Sequence, residues 1–270
     1  MKPADGSFAL FEVVLIGAYL VVATLMVTVY QLAPAVSNVT LTTAGEEALF
    51  LLRSREELAP IASKFGPNHS SRYVEEWIIR DYFQDRRDGV FLDVGANHYQ
   101  RESNTYFLET ALNWSGLAID ALPEFGPEYA THRPRTKFAA MFASDKDGDT
   151  VTLFEPEDQK RLTSVSEAFT AQKGERGKPR TVPTATLNTL LRQAGIGRID
   201  FLSMDIEVSE PKALAGFDID TYQPSFVCIE VHPEVRQQIF DYFALHGYVL
   251  EGKYLRIDPT NVYFRLLKRS

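Results

Sequence analysis

From Val90 onward the chain alternates short apolar runs with stretches of helical spacing. Runs at Val90–Val94, Gly116–Ile119, 137–143, Val151–Phe154, 199–204 and 225–231 predict strands. Helices are predicted between them near 104–112, 124–131, Thr186–Gly195, 211–216 and 233–246. A last pair of runs, 248–255 and 261–267, is joined through Asp258-Pro259-Thr260-Asn261 and predicts a terminal antiparallel hairpin. Strands alternating with helices imply an α/β fold with a mainly parallel sheet and right-handed crossovers. Upstream, Tyr73, Trp77, Ile78 and Phe83 recur at helical spacing, so Arg72–Asp85 predicts a helix covering the sheet, with Gly89 as its C-cap. Glu46–Ser54 reads as a short helix and Pro60–Ser71 as loop.

Two stretches break this rhythm. Val13–Tyr30 runs eighteen residues without a charge, close to the ~20 that span a bilayer's hydrocarbon core. It predicts a membrane helix with Tyr30 and Gln31 at the interface and Pro34 ending it. A cleaved signal peptide is the alternative, because Ala33-Pro34-Ala35 has the small-x-small form. The division expected is an anchor at 1–35, a stalk at 36–71 and a catalytic domain at 72–270. The second break, residues 155–180, is charged and carries Gly174, Gly177 and Pro179. A loop of that length is either a lid near the ligand edge or a solvated insertion.

Composition narrows the function classes. With 270 residues, 45% of them hydrophobic, the chain can bury a full core. A net charge of −8 argues against nucleic acid as the main partner, since phosphate binding needs clustered Lys and Arg. Cys228 is the single cysteine, so no intrachain disulfide can form. CxxC and HExxH patterns are absent, and no structural zinc site is expected.

The candidate chemistry gathers at strand ends. Val90–Val94 runs into Gly95-Ala96-Asn97, and about one helix later Gly116–Ile119 closes on Asp120. A strand, a glycine turn and a carboxylate ending the next strand form half of a nucleotide-binding unit. Asp120 could accept hydrogen bonds from both ribose hydroxyls. GxGxxG and GxxxxGK[ST] are both missing, so no pyrophosphate cradle is visible. That combination suits S-adenosylmethionine better than NAD or ATP. Further along, 199–204 ends in Asp205-Ile206-Glu207 and 225–231 in Glu230, Val231 and His232.

DVGAN, GLAIDALPE, TLNTLL, IDFLSMDIEVSEPKALAGF and FVCIEVHPE occur in this order and resemble the blocks of the FkbM family of S-adenosylmethionine-dependent methyltransferases over roughly residues 88–267. The resemblance implies a Rossmann-like class I methyltransferase fold, with a seven-stranded sheet and the C-terminal hairpin. It implies that Asp93, Gly95 and Asn97 bind the aminocarboxypropyl part of the cofactor, that Asp120 holds the ribose and that Asp145 approaches the adenine. Asp205, Glu207, Glu230 and His232 are the candidates for the base that deprotonates the acceptor, whose nucleophile is expected to be an oxygen. Glu207 and Glu210 could equally start the helix at Pro211, and His232 could be a capping residue. Asp205, Glu207 and Glu230 offer oxygens for Mg²⁺, though no spacing demands a metal.

Two residues depart from the family pattern. Tyr99 and Val208 stand where glycines are usual. Tyr99 is expected to narrow the space beside the cofactor's methionine portion, and Val208 to rule out a comfortable positive-φ turn. An inactive, membrane-bound interaction protein is therefore the second reading. On the first, the acceptor is a small molecule, glycan or lipid near a membrane, with the catalytic domain in the cytoplasm because the cofactor is chiefly cytosolic.

Overall fold

The computed structural model describes residues 59–155, 164–165, 178–255, 257–258 and 260–267. Val13–Tyr30, the stalk residues 31–45, Glu46–Ser54 and most of the 155–180 stretch lie outside the described residues. Among those described, no helix is long and apolar enough to cross a membrane.

Five strands lie parallel: β1 (Val90–Val94), β2 (Ser115–Asp120), β3 (Thr136–Ala140), β7 (Phe201–Met204) and β8 (Phe226–Glu230). With β9 (Tyr248–Leu250) and β10 (Asn261–Leu266) they form a seven-stranded sheet in the order β3-β2-β1-β7-β8-β10-β9. β10 lies antiparallel to both of its neighbours, so the terminal hairpin forms as expected. Its first strand stops at Leu250 rather than 255, and a 3-10 turn at Gly252–Tyr254 follows.

Strand pleating divides the core between two faces. Leu92 and Val94 of β1, with Leu202, Met204, Val227 and Ile229, pack under α4 (Leu187–Ala194) and α7 (Arg236–Leu245). Phe91, Phe201, Phe226 and Cys228 point the other way, onto Ile78, Ile79 and Phe83 of α1 (Glu75–Phe83) and Leu108 of α2 (Tyr106–Leu112). Each such fully buried aliphatic or aromatic side chain contributes about 1.5–3 kcal/mol.

Four expectations need correction. First, α1 is shorter than 72–85 and is not capped by Gly89. Gln84 takes the left-handed C-cap conformation, at φ 51°. Gly89 is instead a packing residue, since a Cβ there would lie 2.5 Å from the Trp114 ring. Second, residues 59–65 are helical rather than loop, and Ile61 is buried in the α1 cluster.

Third, 137–143 is not one strand. The chain leaves the large sheet at Met141, whose N–H donates to Asp120 O, and β4 (Phe142–Ala143) pairs with a second sheet. That sheet has the order β4-β6-β5, with β5 at Thr150–Glu155 and β6 at Lys178–Ala185. Fourth, Glu155 and residues 178–180, expected within the 155–180 loop, belong to β5 and β6. Pro179 and Pro183 mask β6 in the sequence. They are tolerated because over Lys178–Pro183 the strand pairs with β5 alone.

Candidate active site

Strand order reverses beside β1, and a cleft opens there at the carboxyl ends of the strands, as the fold class requires. Its first wall begins at Gly95, with φ 83°. A Cβ on Gly95 would lie 1.8 Å from Asp205 O, so no other residue fits. The Gly95 and Ala96 N–H groups both donate to Ile119 O, at 2.9 and 3.1 Å, which docks the turn on β2. Asn97, also at positive φ (49°), donates its N–H to Asp120 Oδ2 at 2.9 Å. Leu122 N–H donates to Oδ1 at 2.8 Å. Each Asp120 oxygen thus holds one backbone donor and keeps a second acceptor position. Burial raises the Asp120 pKa to about 6 against the opposing pull of those two N–H groups.

The cleft is open to solvent and its cavity volume is about 60 Å³, below the ~300–1,000 Å³ usual for small-molecule sites. Val94, Gly95, Asn97, Ile119, Asp120 and Leu122 line the first wall. Met141, Phe142, Ala143 and Leu153 add an apolar flank. Sequence reasoning predicted strands at 137–143 and Val151–Phe154 but missed that β4 and β5 pair with β6 in a second sheet that forms this flank.

Two predicted cofactor residues stand elsewhere. Asp93 is buried on the α1/α2 side of the sheet, where its carboxylate accepts from Thr105 Oγ1 at 2.7 Å. Asp145 is exposed and accepts from Ser144 Oγ at 3.1 Å. It lines a neighbouring cleft with Lys146, Thr150 and Lys212.

Asp205, Ile206 and Glu207 form the opposite wall. Asp205 N–H continues the ladder by donating to Val94 O at 2.9 Å, after which the chain turns sharply. Glu207 and Val208 both take positive φ, at 53° and 69°. The turn forms with Val208 in it, and it is not a comfortable one. A β-branched residue there costs about 1–3 kcal/mol. The turn is held by Ile206 N–H donating to Glu210 Oε1 at 3.0 Å, by Ser164 Oγ donating to Glu207 O at 3.0 Å, and by Val208 packing on the core. Tyr99 also departs from expectation. It is not among the residues lining the cleft, and its ring stacks between His98 and His132, at 4.6 and 4.5 Å.

His232 Nε2 lies 2.8 Å from Glu230 Oε2 and 3.3 Å from Glu207 Oε2. Hydrogen bonds to Glu207 and Glu230 raise its pKa to about 10, so at neutral pH it is an imidazolium clamped by two carboxylates. It has no lone pair to act as a base in that state. Asp205 is an exposed residue of the cleft wall. Desolvation, then the charges of Glu230 and Glu207, push its pKa well above the ordinary carboxylate range. Buried Glu210 is raised to about 7, chiefly by desolvation. Glu207, Glu230 and His232 also bring possible ligand atoms within 4.8 Å of one another, close enough to share a cation.

The cleft lies at the switch point of a parallel α/β sheet, where doubly wound folds bind ligands, with Asp120 on one wall and the raised-pKa Asp205 on the other. The sequence model of the methyltransferase FkbM domain matches residues 93–250, and the chain belongs to that family of methyltransferases. A search of curated protein sequences finds no match. Among solved structures, the chain is similar to a TehB-like SAM-dependent methyltransferase from Corynebacterium glutamicum. Identity is 12%, coverage 84% of this chain and 100% of that one, and TM-score 0.40. It is also similar to the Burkholderia thailandensis 1,6-didemethyltoxoflavin-N1-methyltransferase, solved with 1,6-didemethyltoxoflavin and S-adenosylhomocysteine. There identity is 14%, coverage 84% and 91%, and TM-score 0.34. Likenesses this distant carry no functional argument.

Proposed function

We propose that this methyltransferase uses S-adenosylmethionine to methylate an oxygen of a small-molecule, glycan or lipid acceptor, and that Val13–Tyr30 tethers it to a membrane with the catalytic domain in the cytoplasm. The observation that carries the cofactor reading is Asp120, whose two oxygens are fixed by Asn97 and Leu122 N–H groups at the cleft wall. The residues present fit the cofactor. Asp120 keeps an acceptor position on each oxygen for a ribose diol, the Gly95 turn admits close backbone approach, and Met141, Phe142 and Leu153 offer an apolar surface to a base.

When bound, the sulfonium cofactor supplies an electrophilic methyl group. The protein's own contribution is alignment and proton removal. Asp205 lines the cleft where an acceptor hydroxyl would sit, and its raised pKa makes its anion a stronger base than a carboxylate of ordinary pKa. Clamped His232 supplies positive charge next to Glu207 and Glu230, so that the acidic wall tolerates an ionised Asp205. Tyr99 outside the cleft lining, and Val208 held in its strained turn by its neighbours, support the enzyme over an inactive adaptor.

Calorimetric titration with S-adenosylhomocysteine tests the reading. The wild type is expected to bind, and Asp120→Ala to lose about 1–3 kcal/mol of affinity. A folded wild type with no affinity sinks the proposal.

A further inference from the structure

The Gly95 turn has a reverse side, facing away from the cleft, and two buried residues hold it there. α3 (Gly126–His132) carries Tyr129, which is fully buried and donates its hydroxyl to Ala96 O at 3.1 Å. One residue past the helix, Arg133 is also fully buried. Its Nη1 donates to Tyr99 O at 2.8 Å. Its Nη2 donates to Thr105 O at 3.2 Å and Thr105 Oγ1 at 3.1 Å, while Nε meets the Glu109 carboxylate. Thr105 Oγ1 in turn donates to Asp93, which explains why a carboxylate from the glycine-turn strand points away from the cleft.

Ala96 C=O and Asn97 N–H belong to one peptide plane, which is rigid. Tyr129 holds the oxygen of that plane from behind, and Asp120 holds its N–H from in front. Rotating the plane would break both bonds at once. Arg133 fixes the far end of the same loop at Tyr99, using the fork geometry of guanidinium, which an ammonium cannot reproduce.

We infer that Tyr129 and Arg133 are positioning residues for the cofactor: they lock the Gly95–Tyr99 loop, and through it Asp120, in the binding conformation without lining the cleft. The inference rests on the cofactor reading above. Neither residue was singled out by sequence, since Tyr129 and Arg133 sit in and just after a helix whose only visible role was to cover the sheet.

The test titrates the 270-residue chain with S-adenosylhomocysteine as wild type, Tyr129→Phe, Arg133→Lys and Arg133→Met. Thermal midpoints and amide exchange of residues 95–99 are recorded without ligand. Tyr129→Phe is expected to fold, to speed exchange at Asn97 and to weaken binding about tenfold. Arg133→Lys is expected to bind no better than Arg133→Met despite keeping the charge. A merely structural role would lower the midpoints and leave affinity and loop exchange at wild-type values, and that result overturns the inference. If the Arg133 variants do not fold, Tyr129→Phe decides alone. If the wild type itself does not bind, the cofactor reading falls; faster Asn97 exchange in Tyr129→Phe still upholds the clamp, and unchanged exchange refutes it.

Discussion

On the Gly95 wall of the cleft, polar groups meet backbone donors; on the Asp205 wall, carboxylates meet one another. Asp120 faces two N–H groups, and its pKa rises only to about 6. Asp205 faces Glu207 and Glu230, and its pKa rises well beyond the usual range. Backbone conformation follows the same division. Positive φ falls on Gly95 and Asn97 on the first wall, residues suited to it, but on Glu207 and Val208 on the second, which are not. A binding surface is served by satisfied groups that ionise readily and stay put. A reacting surface is served by a base whose proton affinity is raised, and the unfavourable charge and strain that raise it are borne by the surrounding fold.

The comparison can be broken most sharply at Asp205. Asp205→Asn is expected to lower methyl transfer by about 10²–10⁴-fold, read as label passing from the cofactor to components of a membrane extract. Affinity for S-adenosylhomocysteine should stay within about twofold of wild type. Equal losses of turnover and affinity would mean that the walls are not functionally separate. The next effect falls on the first wall. Gly95→Ala places a methyl group against Asp205 O and is expected to cost more than about 3 kcal/mol in urea unfolding. A loss below 1 kcal/mol would show that the turn can give way. The smallest effect concerns Val208, where glycine relieves the positive φ but gives up packing and backbone order. Val208→Gly is expected to change stability by between zero and about +1 kcal/mol, whereas glycine at an ordinary strand or helix position destabilises. A loss above 1 kcal/mol would show that packing, not strain, dominates there.

The first wall was the legible one. An apolar strand, a glycine turn and a carboxylate ending the next strand lie close in sequence, and each signals its role locally. Asp93 shows how such a reading overreaches. It belongs to the same motif, but the period of two that buries Val94 on one face sends Asp93 to the other, toward Thr105. Asp145 stands in a neighbouring cleft for a different reason: the chain leaves the main sheet at Met141, and nothing in the pattern at 137–143 marks that departure. Prolines concealed β6, and with it the sheet that brings Phe142 and Leu153 to the cleft. Propensity marked the strain at Val208 but not the tertiary contacts, from Glu210 to Ile206 and from Ser164 to Glu207, that hold the turn against it. His232 was visible as a titratable group at a strand end, but its clamping between two carboxylates depends on β7 and β8 lying side by side.

The central claim is that Asp120 receives the cofactor's ribose hydroxyls as a carboxylate. The most direct measurement is the affinity for S-adenosylhomocysteine as a function of pH. Ribose hydroxyls donate to the anion, so a proton on Asp120 competes with the ligand. With its pKa raised to about 6, affinity should be flat above that pH and fall about tenfold per unit below it. Asp120→Asn should bind more weakly at pH 7.5 and show no break near 6. A wild-type affinity unchanged between pH 7.5 and 5, or a break that persists in Asp120→Asn, would contradict the account.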